Sequence, residues 1–116
     1  TIIADSAHNE GGLRLVIEQL EKIKYKNIHF VLGFVNDKSI DKILTLFPTD
    51  ATYYWAKANV PRGLDAQLLA ASAIDFGLIG KPYSSVRKAM AAAKSKARKD
   101  DLIYVGGSIF VVAEVI

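Results

Sequence analysis

Cysteine is absent from the 116 residues, which excludes a disulfide framework, a thiolate nucleophile and a sulfur-ligated metal. That absence also fits a cytoplasmic protein. No apolar run approaches the ~18 residues that a membrane-spanning helix needs, and the opening residues do not read as a signal peptide; no membrane partner is expected. There is no G-x-x-x-x-G-K-[ST] phosphate loop, no G-x-G-x-x-G fingerprint, no metal-ligand spacing and no nucleophile elbow. A self-sufficient enzyme is therefore not expected. An initiator Met is also missing. The chain opens Thr1-Ile2-Ile3-Ala4-Asp5, already inside a strand-like run, and is read as a piece of a longer protein.

Charge of one sign is scarce as well. The net charge is +3, and its excess sits in two runs, Lys22/Lys24/Lys26 and Lys94/Lys96/Arg98/Lys99. Both lie near expected helix ends, where cations complement the macrodipole and stay solvated. No aromatics interleave with them as a base-stacking surface requires, so nucleic acid is not an expected partner. What is present is an ordinary globular composition, 51% hydrophobic and 23% charged, enough for one domain with one packed core.

Hydropathy periods alternate along the chain. Ile2 to Asp5 reads as a short strand. Leu13, Val16, Ile17, Leu20 and Ile23 fall at the spacing of an amphipathic helix. Ile28 to Leu32 is a continuous apolar run, as in a strand covered on both faces; His29 within it reads as a packed core residue. Ile40, Ile43, Leu44 and Phe47 mark a second helix that Ser39 is placed to cap and Pro48 stops. Residues 51–56 form an aromatic strand. Residues 64–76 form a third helix, with Gly77 as a left-handed terminator. Ser84 or Ser85 opens a fourth, running to about Lys99. Residues 102–105 form a fourth strand. Residues 108–116 are ambiguous: Val and Ile favour a strand, whereas Ser108 is a good N-cap for Ile109, Val112 and Ile116 on one helical face.

Strands alternating with helices predict an α/β domain, a three-layer Rossmann-like fold. Its sheet is mostly parallel, of about four strands, with helices on both faces. Ligands of such sheets bind at the carboxyl ends of the strands. Those ends carry Asp5-Ser6-Ala7-His8-Asn9, residues 33–38, residues 57–63, and Gly106-Gly107-Ser108. Asp5 is suited to accept from ribose hydroxyls, and His8 and Asn9 to donate to carboxylate or phosphate oxygens; equally, Asp5 and Asn9 suit the capping of the first helix. Gly106-Gly107 before Ser108 fits a tight turn into a helix N-terminus or an ordinary hairpin turn. Asp37 and Lys38 fit substrate orientation or a plain turn, and Arg62 after Pro61 fits a carboxylate fork or a rigid loop.

Four segments resemble one family in order and spacing. DSAHNEGG resembles the DGAHNP element that opens the C-terminal domain of folylpolyglutamate synthases and dihydrofolate synthases, members of the Mur ligase superfamily. GFVNDKSIDKIL resembles that family's G-x-x-x-DKD segment. ANVPRGLDAQLL resembles its Pro-Arg loop, and LIYVGGSIFVVAEVI its GSLYLVGEV terminus. Ser6 stands where the family has Gly, and Glu10 where it has Pro. The Glu10 change places a negative charge beside a site meant for anions.

The resemblance implies that residues 1–116 form a single lid domain, cut from a longer cytoplasmic, monomeric ligase of folate biosynthesis and one-carbon metabolism. In that family ATP activates a dihydropteroate or folate carboxylate as an acyl phosphate, and L-glutamate attacks it. The phosphate loop and Mg²⁺ belong to the preceding ATPase domain, which is this domain's partner, and the lid alone is inactive. By position, Asp5 contacts the ATP ribose. His8 and Ser108 serve catalysis and line the glutamate site with Asn9, and Asp37, Lys38 and Arg62 are further substrate-binding candidates. The family's ending implies a helix at residues 108–116. Two alternatives stay open: the lid of another Mur-type amide ligase, and a non-catalytic α/β ligand-binding module. The proposition that carries the site is spatial. Asp5, His8 and Ser108 must share one border of the sheet, with Ser108 not sealed in the hydrophobic interior.

Overall fold

A computed structural model describes residues 1–35 and 40–115. Five strands, β1 (Ile2–Ala4), β2 (Ile28–Leu32), β3 (Thr52–Trp55), β4 (Gly80–Pro82) and β5 (Leu102–Gly106), form one sheet in the order β1-β5-β2-β3-β4. Every pairing is parallel; Ile2 lies opposite Ile103, His29 opposite Ile103 and Thr52, and Tyr53 opposite Gly80. The expected count of about four strands is corrected to five. The added strand, β4, is three residues with a Gly and a Pro. It is tolerated because it sits at the sheet edge, where one ladder suffices.

The helices are α1 (Glu10–Leu20), α2 (Ile40–Leu44), α3 (Ala66–Ile74), α4 (Val86–Lys96) and α5 (Ile109–Ala113). The first three follow strands that step in one direction across the sheet, so right-handed crossovers put them on one face. There Leu13, Leu20, Ile43, Leu44, Leu69 and Ala73 cover Phe30, Leu32, Tyr53, Trp55 and Tyr104. The chain then returns from β4 at one edge to β5 inside the sheet, and α4 and α5 cover the other face. Val86, Ala89, Met90, Ala93 and Val111 pack on Val31, Tyr54, Ile103 and Val105 there. On the first face three rings line up: Phe30 on Tyr53 at 5.2 Å and Tyr53 on Trp55 at 5.0 Å, both near-parallel.

Helix ends follow local chemistry. Asn9, Asp65, Ser85 and Ser108 each cap a helix, their side-chain oxygens accepting backbone N–H bonds. Gly77 takes φ +78° after α3, as expected of a left-handed terminator. At the end of the chain the helix prevails over strand propensity, with Val111 and Val112 turned into the interior. Ser39, expected to cap α2, lies outside the described residues. Among the described residues no helix is long and apolar enough to cross a membrane.

Candidate functional site at the carboxyl border of the sheet

The strand order places a switch point beside β5. Its neighbours β1 and β2 both lead into helices on the first face, whereas β5 leads into α5 on the second. Loops that part in opposite directions leave a crevice between them, the usual ligand position in such sheets. Here the parting loops are Asp5–Asn9, after β1, and Gly106–Ser108, after β5.

These two segments adjoin. The Asp5 N–H donates to the Val105 carbonyl at 3.1 Å, carrying the β1–β5 ladder up to the rim. Beyond it the chain turns, and Asp5 Oδ1 accepts the Ala7 N–H at 2.7 Å. Asp5 therefore shapes its own loop rather than capping α1. Asn9 is the cap, its Oδ1 accepting from Gly12 N at 2.8 Å. A ligand contact from Asn9 must then come from Nδ2. His8 is exposed on the loop between them, with Nδ1 3.4 Å from the Ser6 carbonyl oxygen.

On the other side of the crevice Gly107 turns at φ +92°, and a Cβ there would stand 2.5 Å from the Gly33 carbonyl oxygen. Both the conformation and the close approach require glycine. Ser108 lies at the same border as Asp5, which meets one half of the spatial expectation but not the half that asked for an open Ser108. Its side chain, however, is 2% exposed, and its hydroxyl accepts the Phe110 N–H at 3.1 Å. In this conformation Ser108 is a covered helix cap rather than a group facing a ligand.

The remaining expected residues scatter. Asp37 and Lys38 lie outside the described residues. Arg62 is exposed on the loop after β3, which is knitted to the loop after β2 by the Val35–Gly63 bridge and by Leu64 N–H donating to Phe34 O at 2.7 Å. In the order β1-β5-β2-β3 that loop stands three strand spacings from Asp5, roughly 14 Å. The structure joins Asp5, His8, Asn9 and Ser108 and sets Arg62 apart.

Two rim features were not singled out in the sequence. Hollows of 310 and 360 Å³ over β3 and β4 share Lys57 and Ser84. Beside them Glu114, from the end of α5, accepts the Asn59 N–H at 2.9 Å. A larger hollow of 560 Å³, with Lys24, Lys26 and Lys99 around it, lies at the opposite, amino border. It is remote from the switch point. Among the described residues no group of three His, Cys, Asp or Glu could hold a metal ion.

Residues 1–109 match the family model described as Mur ligase, glutamate ligase domain. The chain belongs to that family. This Mur ligase domain is 32% identical, over 98% of its length, to the "Probable bifunctional folylpolyglutamate synthase/dihydropteroate synthase" of Haloferax volcanii. It is 29% identical to the "Dihydrofolate synthase/folylpolyglutamate synthase" of Escherichia coli. It spans 14% of the first relative and 26% of the second. Among solved structures it superposes on "E.coli FolC in complex with DHPP and ADP" with a TM-score of 0.87 at 30% identity, covering 98% of this domain and 27% of that chain. A Mycobacterium tuberculosis folylpolyglutamate synthase, at 24% identity and a TM-score of 0.88, shares the fold.

Proposed function

We propose that this domain is the lid of an ATP-dependent amide ligase that adds L-glutamate to a dihydropteroate or folate carboxylate, and that it acts only together with the ATPase domain of its parent chain. The observation that carries the proposal is the switch point beside β5, where the Asp5–Asn9 loop meets the strand end that leads into Gly106–Ser108, joined by the Asp5 N–H bond to the Val105 carbonyl. The names of the relatives support it. Folylpolyglutamate synthase is common to all three curated ones, and related structures hold DHPP with ADP, or Mn, AMPPNP and L-glutamate.

In this reading ATP is a substrate. A carboxylate oxygen attacks the γ-phosphorus and ADP leaves; the neutral glutamate amine then attacks the acyl carbon, phosphate leaves, and the nitrogen gives up a proton. Mg²⁺ and the phosphate loop are assigned to the preceding ATPase domain, as the family resemblance of the four segments implies.

The residues of the lid bind, orient and exclude water. Asp5 accepts from a ribose hydroxyl through Oδ2, since Oδ1 holds the Ala7 N–H. His8, exposed on the loop after β1, and Asn9, through Nδ2, donate to carboxylate or phosphoryl oxygens of the glutamate site. Ser108 fixes the turn facing them by capping α5. Asp37, Lys38 and Arg62 are further candidate substrate contacts, of which Arg62 stands apart on the loop after β3. Closure of the lid keeps water from the acyl phosphate and holds the amine in line with the reacting carbon.

The test is the intact enzyme with His8→Ala. Glutamate-dependent turnover should fall by about tenfold or more, while the thermal midpoint stays put because His8 is exposed. Turnover at the parent level would sink the site assignment. A parent chain without G-x-x-x-x-G-K-[ST] upstream would sink the ligase itself.

A further inference from the structure

Tyr104 on β5 is 0% exposed, and its hydroxyl has no hydrogen-bond partner among the described residues. It reaches toward the rim. The point where a Cβ on Gly106 would stand is 2.7 Å from the Tyr104 hydroxyl oxygen and 2.9 Å from the Asp5 carbonyl oxygen. Gly106 does not have a positive φ, unlike Gly107, so no backbone conformation demands glycine at that position. The phenol demands it. Tyrosine and glycine two residues apart on one strand face make a matched pair, and together they bring a hydroxyl under the Asp5 turn.

Such a pair is unfavourable for folding alone. A buried hydroxyl without a partner is destabilising, phenylalanine would fill the same space without that penalty, and glycine weakens a strand. Unsatisfied buried groups in native proteins are few, and each has a reason: a strained setting, a catalytic role, or a water or ion that pairs with the group. The group nearby is Asp5, whose Oδ1 holds the Ala7 N–H while Oδ2 makes no bond within the described residues. Burial, and secondarily the Asp5 charge, raise the Tyr104 pKa, so the phenol keeps its proton and remains a donor.

We propose that Tyr104 is a positioning residue for Asp5: its O–H donates to the Asp5 carboxylate once the crevice is filled, and so orients that carboxylate toward a ligand hydroxyl. The ligand class is a ribose diol, and the inference rests on the Asp5 assignment made above. Among the described residues the Asp5 carboxylate is held by the Ala7 N–H. A bound diol draws Oδ2 inward, and the phenol then gains the partner it lacks.

The test compares Tyr104→Phe, Asp5→Asn and the double variant in the intact enzyme. KM for ATP, KM for 2′-deoxy- and 3′-deoxy-ATP, kcat and the thermal midpoint are measured for each. Tyr104→Phe should raise KM for ATP by about tenfold and change kcat by less than about twofold. Its thermal midpoint should be unchanged or higher. The double variant should be no worse than Asp5→Asn, and with the deoxynucleotide lacking the hydroxyl that Asp5 accepts from, Tyr104→Phe should match the parent. If Asp5→Asn raises KM and Tyr104→Phe does not, the positioning role is overturned and the Asp5 assignment stands. Should neither variant raise KM, both fall. A lowered thermal midpoint with unchanged KM, or fully additive effects in the double variant, would make Tyr104 a packing residue and end the proposal.

Discussion

At the amino border of the sheet, three buried polar side chains satisfy one another, while at the carboxyl border two have polar atoms without a partner among the described residues. His29 places Nδ1 2.8 Å from the Tyr54 hydroxyl and Nε2 2.9 Å from Asp101 Oδ2. Asp101 also accepts the Arg98 N–H at 3.0 Å and the Asn27 amide at 3.4 Å. The Arg98 N–H first, and His29 next, hold the Asp101 carboxyl down to about 2. An ionised Asp101 only accepts, so Nε2 carries a proton, and in the neutral ring Nδ1 accepts from the Tyr54 O–H. Across the sheet, by contrast, Trp55 Nε1 and the Tyr104 hydroxyl are buried with no partner among the described residues. One border ties β2, β3 and the entry to β5 together. The other holds polar groups in reserve, as sites that trade stability for function do.

The largest expected effect tests the closed network. His29→Leu keeps the strand apolar but strands the Tyr54 hydroxyl and removes one partner of Asp101. Urea unfolding, followed by the fluorescence of Trp55, the single tryptophan, should show a loss of about 2 kcal/mol. Tyr104→Phe at the other border should show none. Equal losses from the two variants would erase the contrast.

Acid reads the same network through a second observable. The folded-state pKa of Asp101 is depressed from 3.8 to about 2. Its contribution to stability is therefore complete above about pH 4 and disappears as the pH falls through about 2. The gap in unfolding midpoint between the parent and Asp101→Asn should be widest near neutrality and narrow between about pH 4 and pH 2. A gap that stays constant across this window would mean that the ionised carboxylate is not what holds the corner.

How much of this was legible depends on the range of the signal. The alternation of periods gave the α/β layering, because amphipathic spacing is local and the crossover rule does the rest. The turn at Gly77 was legible for the same reason, whereas the helix after Ser108 was ambiguous in the residues themselves and was expected only from the family resemblance. The strand β4 was not. Gly80-Lys81-Pro82 has neither length nor β-propensity, and only its neighbour Tyr53-Tyr54-Trp55 makes it a strand. His29 reads in sequence as a packed core residue, and it is one, but its partners lie 25 and 72 residues away. No spacing rule finds them. Asp5, His8 and Asn9 fall within five consecutive residues and announced themselves together. Tyr104 did not, because a tyrosine in an apolar strand looks like core, and its pairing with Gly106 has meaning only once Asp5 has been folded alongside.

The smallest effect is the most discriminating for the carboxyl border, because it falls on a residue with two claims on it. Asn9 caps α1 through Oδ1, and in the proposed function it faces glutamate through Nδ2. Asn9→Ala should lose both roles, with about 1 kcal/mol of stability from the cap. Asn9→Ser restores a cap oxygen but not an amide donor. Its unfolding midpoint should return close to that of the parent, while KM for glutamate in the intact enzyme stays raised. If serine restores KM together with stability, Asn9 is a cap and nothing more. The candidate ligand contacts at this border would then shrink to Asp5 and His8.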